Sequence, residues 1–129
     1  MFTKIKLTVL IGYIAFFSNN MFSFEKSDNQ KNIRQAIEKG VKFLYQNQNA
    51  TGWWTDSELP ALTGLALVAL KMSDVSSLDA KYESERRRAY DYLVSLAKSD
   101  GSIHDGRLIN YNTACSLMAF SVANDERYR

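Results

Sequence analysis

The residues best suited to chemistry are three acids, Asp56, Glu58 and Asp105, the single histidine His104 and the single cysteine Cys115. A carboxyl group among them would serve as a proton donor or base if burial or a like-charged neighbour raised its pKa. A lone carboxylate in a loop is ordinarily solvated or caps a helix. Cys115 has no partner for an intrachain disulfide, and one cysteine cannot build a Cys-rich zinc site. It lies in an apolar stretch, where a buried structural thiol is the default. The sequence holds no Gly-rich phosphate loop, serine nucleophile elbow or HExxH. Asp56, His104 and Asp105 are therefore the weak catalytic candidates. Trp53, Trp54 and Tyr111 are candidates for lining a cavity, where aromatic faces would stabilise cations or stack on sugars.

These residues need elements to hold them. Ser27 and Gln30 form a capping-box pattern, so a helix starts near Asp28. Ile33, Ile37, Val41 and Leu44 then make one apolar stripe, and the helix runs to about Gln48. Asn49 or Gly52 supplies the left-handed turn after it. Pro60 opens a second helix, where its missing N–H costs nothing. Ala61–Leu70 has only Thr63 and Gly64 outside the apolar set, and a helix apolar all round is buried all round. Gly64 costs about 1 kcal/mol there relative to alanine, so its use is close approach to a neighbouring helix. A third helix is expected from Leu78 or Asp79 to Lys98, closed by Asp100 and Gly101. The basic run Arg86–Arg88, surrounded by Glu83, Glu85 and Asp91, reads as a solvated outer face. A fourth helix is expected over Thr113–Val122, capped by Asn110 or Asn112.

The chain has 129 residues, room for one domain at most. Its net charge of +2 comes from Lys4 and Lys6; without them 14 basic residues face 14 acidic ones. That balance argues against nucleic acid as a partner. The two lysines precede the uncharged run Leu7–Phe17, followed by Ser18, Asn19 and Asn20. Residues 1–23 thus read as a secretory signal peptide, with Ser23 acceptable and Met21 unsuited at the cleavage site. The alternatives are an uncleaved membrane anchor or a buried helix. The first two place residues 24–129 outside the cytoplasm, in the periplasm or the extracellular space.

Gly52–Leu70 has a copy about fifty residues on, at Gly101–Phe120. Aligning Gly52 with Gly101 puts Val41 on Tyr90, Phe43 on Tyr92 and Leu44 on Leu93. One extra residue in the second loop then puts Thr63 on Thr113, Gly64 on Ala114, Leu67 on Leu117 and Ala69 on Ala119. Repeat one covers about 28–72 and repeat two about 78–124. A period of this length with two helices belongs to α-repeat architectures. One hairpin cannot bury its own inner helix, and about three or more repeats are normally needed. Ser102 and Ile103 stand where the first copy has Trp53 and Trp54, which favours packing as the tryptophans' role.

The run Phe43-Leu44-Tyr45-Gln46-Asn47-Gln48, then Thr51-Gly52-Trp53-Trp54, then Thr63-Gly64-Leu65-Ala66-Leu67, resembles the repeat of squalene and terpenoid cyclases and of protein prenyltransferase β-subunits. Lys98-Ser99-Asp100-Gly101-Ser102-Ile103 with Asn110-Tyr111-Asn112-Thr113-Ala114 resembles the same motif. The likeness covers about Asn32–Tyr128. It implies an all-α fold of α/α-toroid type, with about six hairpins in complete members and two here. Both inner helices would then be half uncovered, which suggests a truncated reading frame or a fragment completed by further toroid repeats. The cyclases' DxDD motif is absent. The prenyltransferases' zinc site would need Cys115, His104 and Asp105 to meet, and Cys115-Ser116-Leu117-Met118 does not match the thioester motif of other members. With these motifs missing and residues 1–23 read as a secretory segment, the expectation is an exported repeat module of this type, non-catalytic or incomplete, without cofactor or metal. For the cavity of such a toroid the resemblance implies an apolar or isoprenoid ligand. The alternatives are the N-terminal part of a cyclase- or prenyltransferase-type enzyme, or of a polysaccharide-acting toroid.

Overall fold

The structure is a computed structural model that describes residues 28–75, 78, 80–123 and 125–128. The proposed signal segment, 1–23, lies outside the described residues. The chain divides into two compact units, Met1–Ala36 and Ile37–Arg129. Of the first, 28–36 are described, helical and exposed. In the second unit, 37–46 are helical and are labelled α1. The helices α2 (Pro60–Met72), α3 (Glu83–Ser95) and α4 (Ile109–Ala123) follow, then a 3-10 turn at Glu126–Tyr128. The described residues are all-α, with one isolated bridge between Ala97 and Ile103 in place of a strand. None of their helices is long and apolar enough to cross a membrane.

Within the second unit α2 packs chiefly on α4 and more lightly on α3. Gly64 makes the first contact possible: a Cβ on it would stand 2.6 Å from the carbonyl oxygen of Cys115. Leu67 and Leu93, 1% and 0% exposed, anchor the core, each contributing roughly 1.5–3 kcal/mol by leaving water. Around them lie Val41, Tyr45, Trp54, Leu70, Ala89 and Tyr90. Of the expected apolar stripe, Val41 is buried, while Ile33 and Ile37 are exposed.

The two outer-to-inner joints share one pattern of hydrogen bonds. In the first, Asn49 N–H donates to Trp53 O (2.9 Å) and Gly52 N–H to Asn49 O (2.9 Å). In the second, Lys98 N–H donates to Ser102 O (2.8 Å) and Gly101 N–H to Lys98 O (3.0 Å). Gly52 and Gly101 both take positive φ, 107° and 86°, which a side chain would oppose. One step later Trp54 N–H donates to Thr63 Oγ1 (3.2 Å) and Ile103 N–H to Thr113 Oγ1 (2.9 Å). The offset between the copies is thus 49 residues at the turn and 50 at the threonine, as the extra loop residue requires. Asn49–Met72 and Lys98–Ala123 are repeat-like copies of one joint-and-helix unit.

Three boundaries differ from expectation. Helix α3 begins at Glu83, after a turn in which Tyr82 N–H donates to Leu78 O (3.1 Å). It ends at Ser95 rather than Lys98, because the amides of Leu96 and Ala97 bond three residues back and Ala97 then enters the bridge with Ile103. Helix α4 begins a turn early, at Ile109, behind Leu108 at φ 43°. Asn110 and Asn112 therefore lie inside α4 and do not cap it. Asn112 caps the neighbour instead. Leu59, the N-cap position of α2, offers no side-chain bond. The fully buried Asn112 reaches across, its Oδ1 accepting from Ala61 N–H (3.0 Å) and its Nδ2 donating to Arg107 O (2.7 Å). Asn112→Ala should cost about 1–3 kcal/mol by stranding the buried amide of Ala61. The check is urea unfolding, with a lowered midpoint and an unchanged slope.

Candidate functional site

The sequence-derived candidates sort into two groups. The crossings ahead of the inner helices carry Asp56, Glu58, His104, Asp105 and Arg107, and Asp56 and Asp105 lie near Tyr92 of α3. The Tyr92 hydroxyl donates to Ser57 O (2.6 Å), and Arg107 meets Glu58 at 2.8 Å. Burial first, then the nearby Asp105 and Asp56 carboxylates, push the Tyr92 phenol up to about 12. So the fold does gather Asp56 and Asp105 from crossings far apart in sequence. It does not bury them. Asp56 is partly exposed and its Oδ1 accepts from Glu58 N–H (2.8 Å), while Asp105 is exposed. His104 Nδ1 accepts from Gly106 N–H (2.8 Å). Asp56 and His104 thus hold their own turns, as Asp100 does with Ser102. A carboxyl group held protonated for acid chemistry needs burial, which neither Asp56 nor Asp105 has. The Arg107–Glu58 pair is exposed at both ends and contributes about 0–1 kcal/mol.

Cys115 is buried within α4, its backbone against Gly64. Among the described residues no three His, Cys, Asp or Glu side chains converge as metal ligands, so Cys115, His104 and Asp105 do not meet.

The aromatic candidates also divide. Trp54 is 4% exposed and its Nε1–H donates to Leu44 O (2.7 Å), pinning the end of α1 to the crossing. Ile103, its equivalent, is equally buried. Both are wedges between helices. Trp53 is half-buried, and Tyr111 is exposed on α4. The basic run is an outer face with local partners: Arg86 meets Glu83 at 2.6 Å and Arg88 meets Glu85 at 3.7 Å.

Tyr90 of α3 is a structural group that the sequence did not single out for polarity. Its hydroxyl donates to Ala119 O of α4 (3.2 Å), and its ring stacks on Tyr128 at 4.7 Å. Burial is the main cause that pushes its pKa up from 10.0 to about 12. The folded state holds this proton, and that of Tyr92, more tightly than the unfolded chain does. Their stabilisation is complete below pH 10 and is lost as pH rises towards 12. Urea midpoints across that window should fall, and Tyr90→Phe should flatten the fall.

Two of the exposed surfaces among the described residues are apolar. An open groove of about 490 Å³ is lined by Gly40, Val41, Phe43 and Leu44 of α1 with Ala69 and Met72 of α2. On α4, Tyr111, Leu117 and Met118 are 48%, 54% and 49% exposed. Comparison with known protein families, with curated proteins and with solved structures finds no match for this chain. What the fold itself defines is a class: an all-α protein built from repeat-like helical hairpins.

Proposed function

We propose that the chain is an exported repeat module of the α/α-toroid type, built to dock other helical hairpins and without chemistry of its own. One observation carries the reading. The polar residues of the joints are engaged in holding the repeat: Asn49, Asp56, Asp100, His104, Thr63 and Thr113 each bond the backbone of their own joint or crossing. The same hydrogen bonds recur in both joints. Resemblance to the squalene-cyclase and prenyltransferase β-subunit repeat supports the toroid type, and the pattern of residues 1–23 supports export. The partners implied are further hairpins of the same kind.

The test is turnover. The purified full chain is incubated with an allylic diphosphate and, separately, with a linear polyene, and products are followed by mass spectrometry. No product above the buffer blank is expected. Product that disappears in the Asp56→Asn, Asp105→Asn double variant would replace the module with a cyclase- or prenyltransferase-type enzyme.

A further inference from the structure

The two hairpins differ in what covers them, and the difference follows the repeat. Hairpin two packs into the core through Ala89, Tyr90, Leu93 and Ala119, none more than 7% exposed. Gly40, Leu44 and Ala69, the equivalents of Ala89, Leu93 and Ala119, line the open groove with Val41, which is itself as buried as its counterpart Tyr90. Gly40 and Ala69 are exposed, and Phe43 beside them is 62% exposed. Phe43 is the counterpart of Tyr92, which reaches back to bond Ser57 of hairpin one.

The other faces show the converse. Hairpin one is covered by hairpin two at Gly52, Gly64 and Leu67. Gly52 lies against the backbone of Arg88 and Gly64 against that of Cys115. Their counterparts Gly101, Ala114 and Leu117 are all exposed. A Cβ on Gly101 would meet nothing within 4 Å. Leu67 is 1% exposed and Leu117 is 54% exposed. Hairpin one therefore has an unfilled holding face, and hairpin two has an unfilled held face. Each is the counterpart of a surface already used in the interface between the hairpins.

We propose that these faces bind each other between copies of the chain. The groove of one copy seats on α4 of the next, continuing between chains the step that relates hairpin one to hairpin two. Such a contact is heterologous, so it closes into a ring or grows as an open array. The inference rests on the repeat-module reading and adds its partner, a second copy.

The test is mass in solution. Light scattering and sedimentation of the full chain should show a mass that rises above the monomer with concentration. Phe43→Glu blocks the groove and Leu117→Glu blocks α4. Both positions are largely exposed, so each variant should keep its helical circular dichroism. Each alone should be monomeric. Mixed in equal amounts they should form a one-to-one heterodimer, because Phe43→Glu keeps an intact α4 and Leu117→Glu an intact groove. A wild-type chain that stays monomeric overturns the proposal and leaves the docking to hairpins of other origin. Association that survives in either single variant also overturns it, since that contact would be two-fold or would lie elsewhere. Turnover in the assay above would sink the module reading itself, so the two failures are separable.

Discussion

Gly52→Ala is expected to destabilise the protein by about 2–5 kcal/mol, and Gly101→Ala by only about 1–2. Both glycines occupy the same place in the repeat and both have positive φ, 107° and 86°. Alanine pays the same kind of backbone strain at each, about 1–2 kcal/mol. The surroundings separate them. At Gly52 the new Cβ would stand 2.3 Å from the carbonyl oxygen of Arg88 and 2.5 Å from its carbonyl carbon. That obstacle is helix backbone, which has no rotamer to move to, so α3 must shift and overpacking adds roughly 1–3 kcal/mol. At Gly101 the Cβ enters open space. Urea unfolding of the two variants reads the difference directly. Equal losses would mean that α3 does not bear on the first joint, and the picture of hairpin two covering hairpin one would fail with it.

The contrast also shows what a sequence can and cannot carry. The offset between the copies was legible because glycine and threonine have narrow backbone and hydrogen-bonding duties at a joint, and both recur. The inner helices were legible from their lack of a charged face. The reach of Asn112 was not. An asparagine near the start of an apolar run reads as a cap for its own helix. Only the packing of α4 against α2 reveals that its amide serves Ala61, 51 residues back. The gathering of Asp56 and Asp105 around Tyr92 was equally hidden, because it depends on how the two crossings are stacked. The burial of α2 at Leu67 and the exposure of α4 at Leu117 could not be told apart from sequence either. Leu67 and Leu117 are the same residue in the same register, and what covers each is decided by the neighbouring hairpin.

Gly64→Ala tests that neighbourhood from inside the core. In an isolated helix the change would help by about 1 kcal/mol, since alanine is the better helix former. Here the Cβ would stand 2.6 Å from the Cys115 carbonyl oxygen and 2.8 Å from its carbonyl carbon. Again the obstacle is backbone, so α2 and α4 must separate by several tenths of an ångström or more along a tightly packed seam. Loss of close packing along that seam costs more than the propensity returns, and a net loss of about 2 kcal/mol is expected. Gly40→Ala supplies the control: it lies within α1 with nothing inside 4 Å of its Cβ, and should stabilise by about 0.5–1 kcal/mol. Cys115 gives a second readout on the same seam. It is buried in α4 beside Gly64, so it reacts with a thiol reagent only when the helices open. A loss of about 2 kcal/mol should speed that labelling by about 30-fold in Gly64→Ala, while Gly40→Ala should leave it unchanged or slower. If Gly64→Ala is instead more stable than the wild type, α2 and α4 do not approach at this glycine. The interface that the head-to-tail assembly is meant to continue would then not exist in the form described.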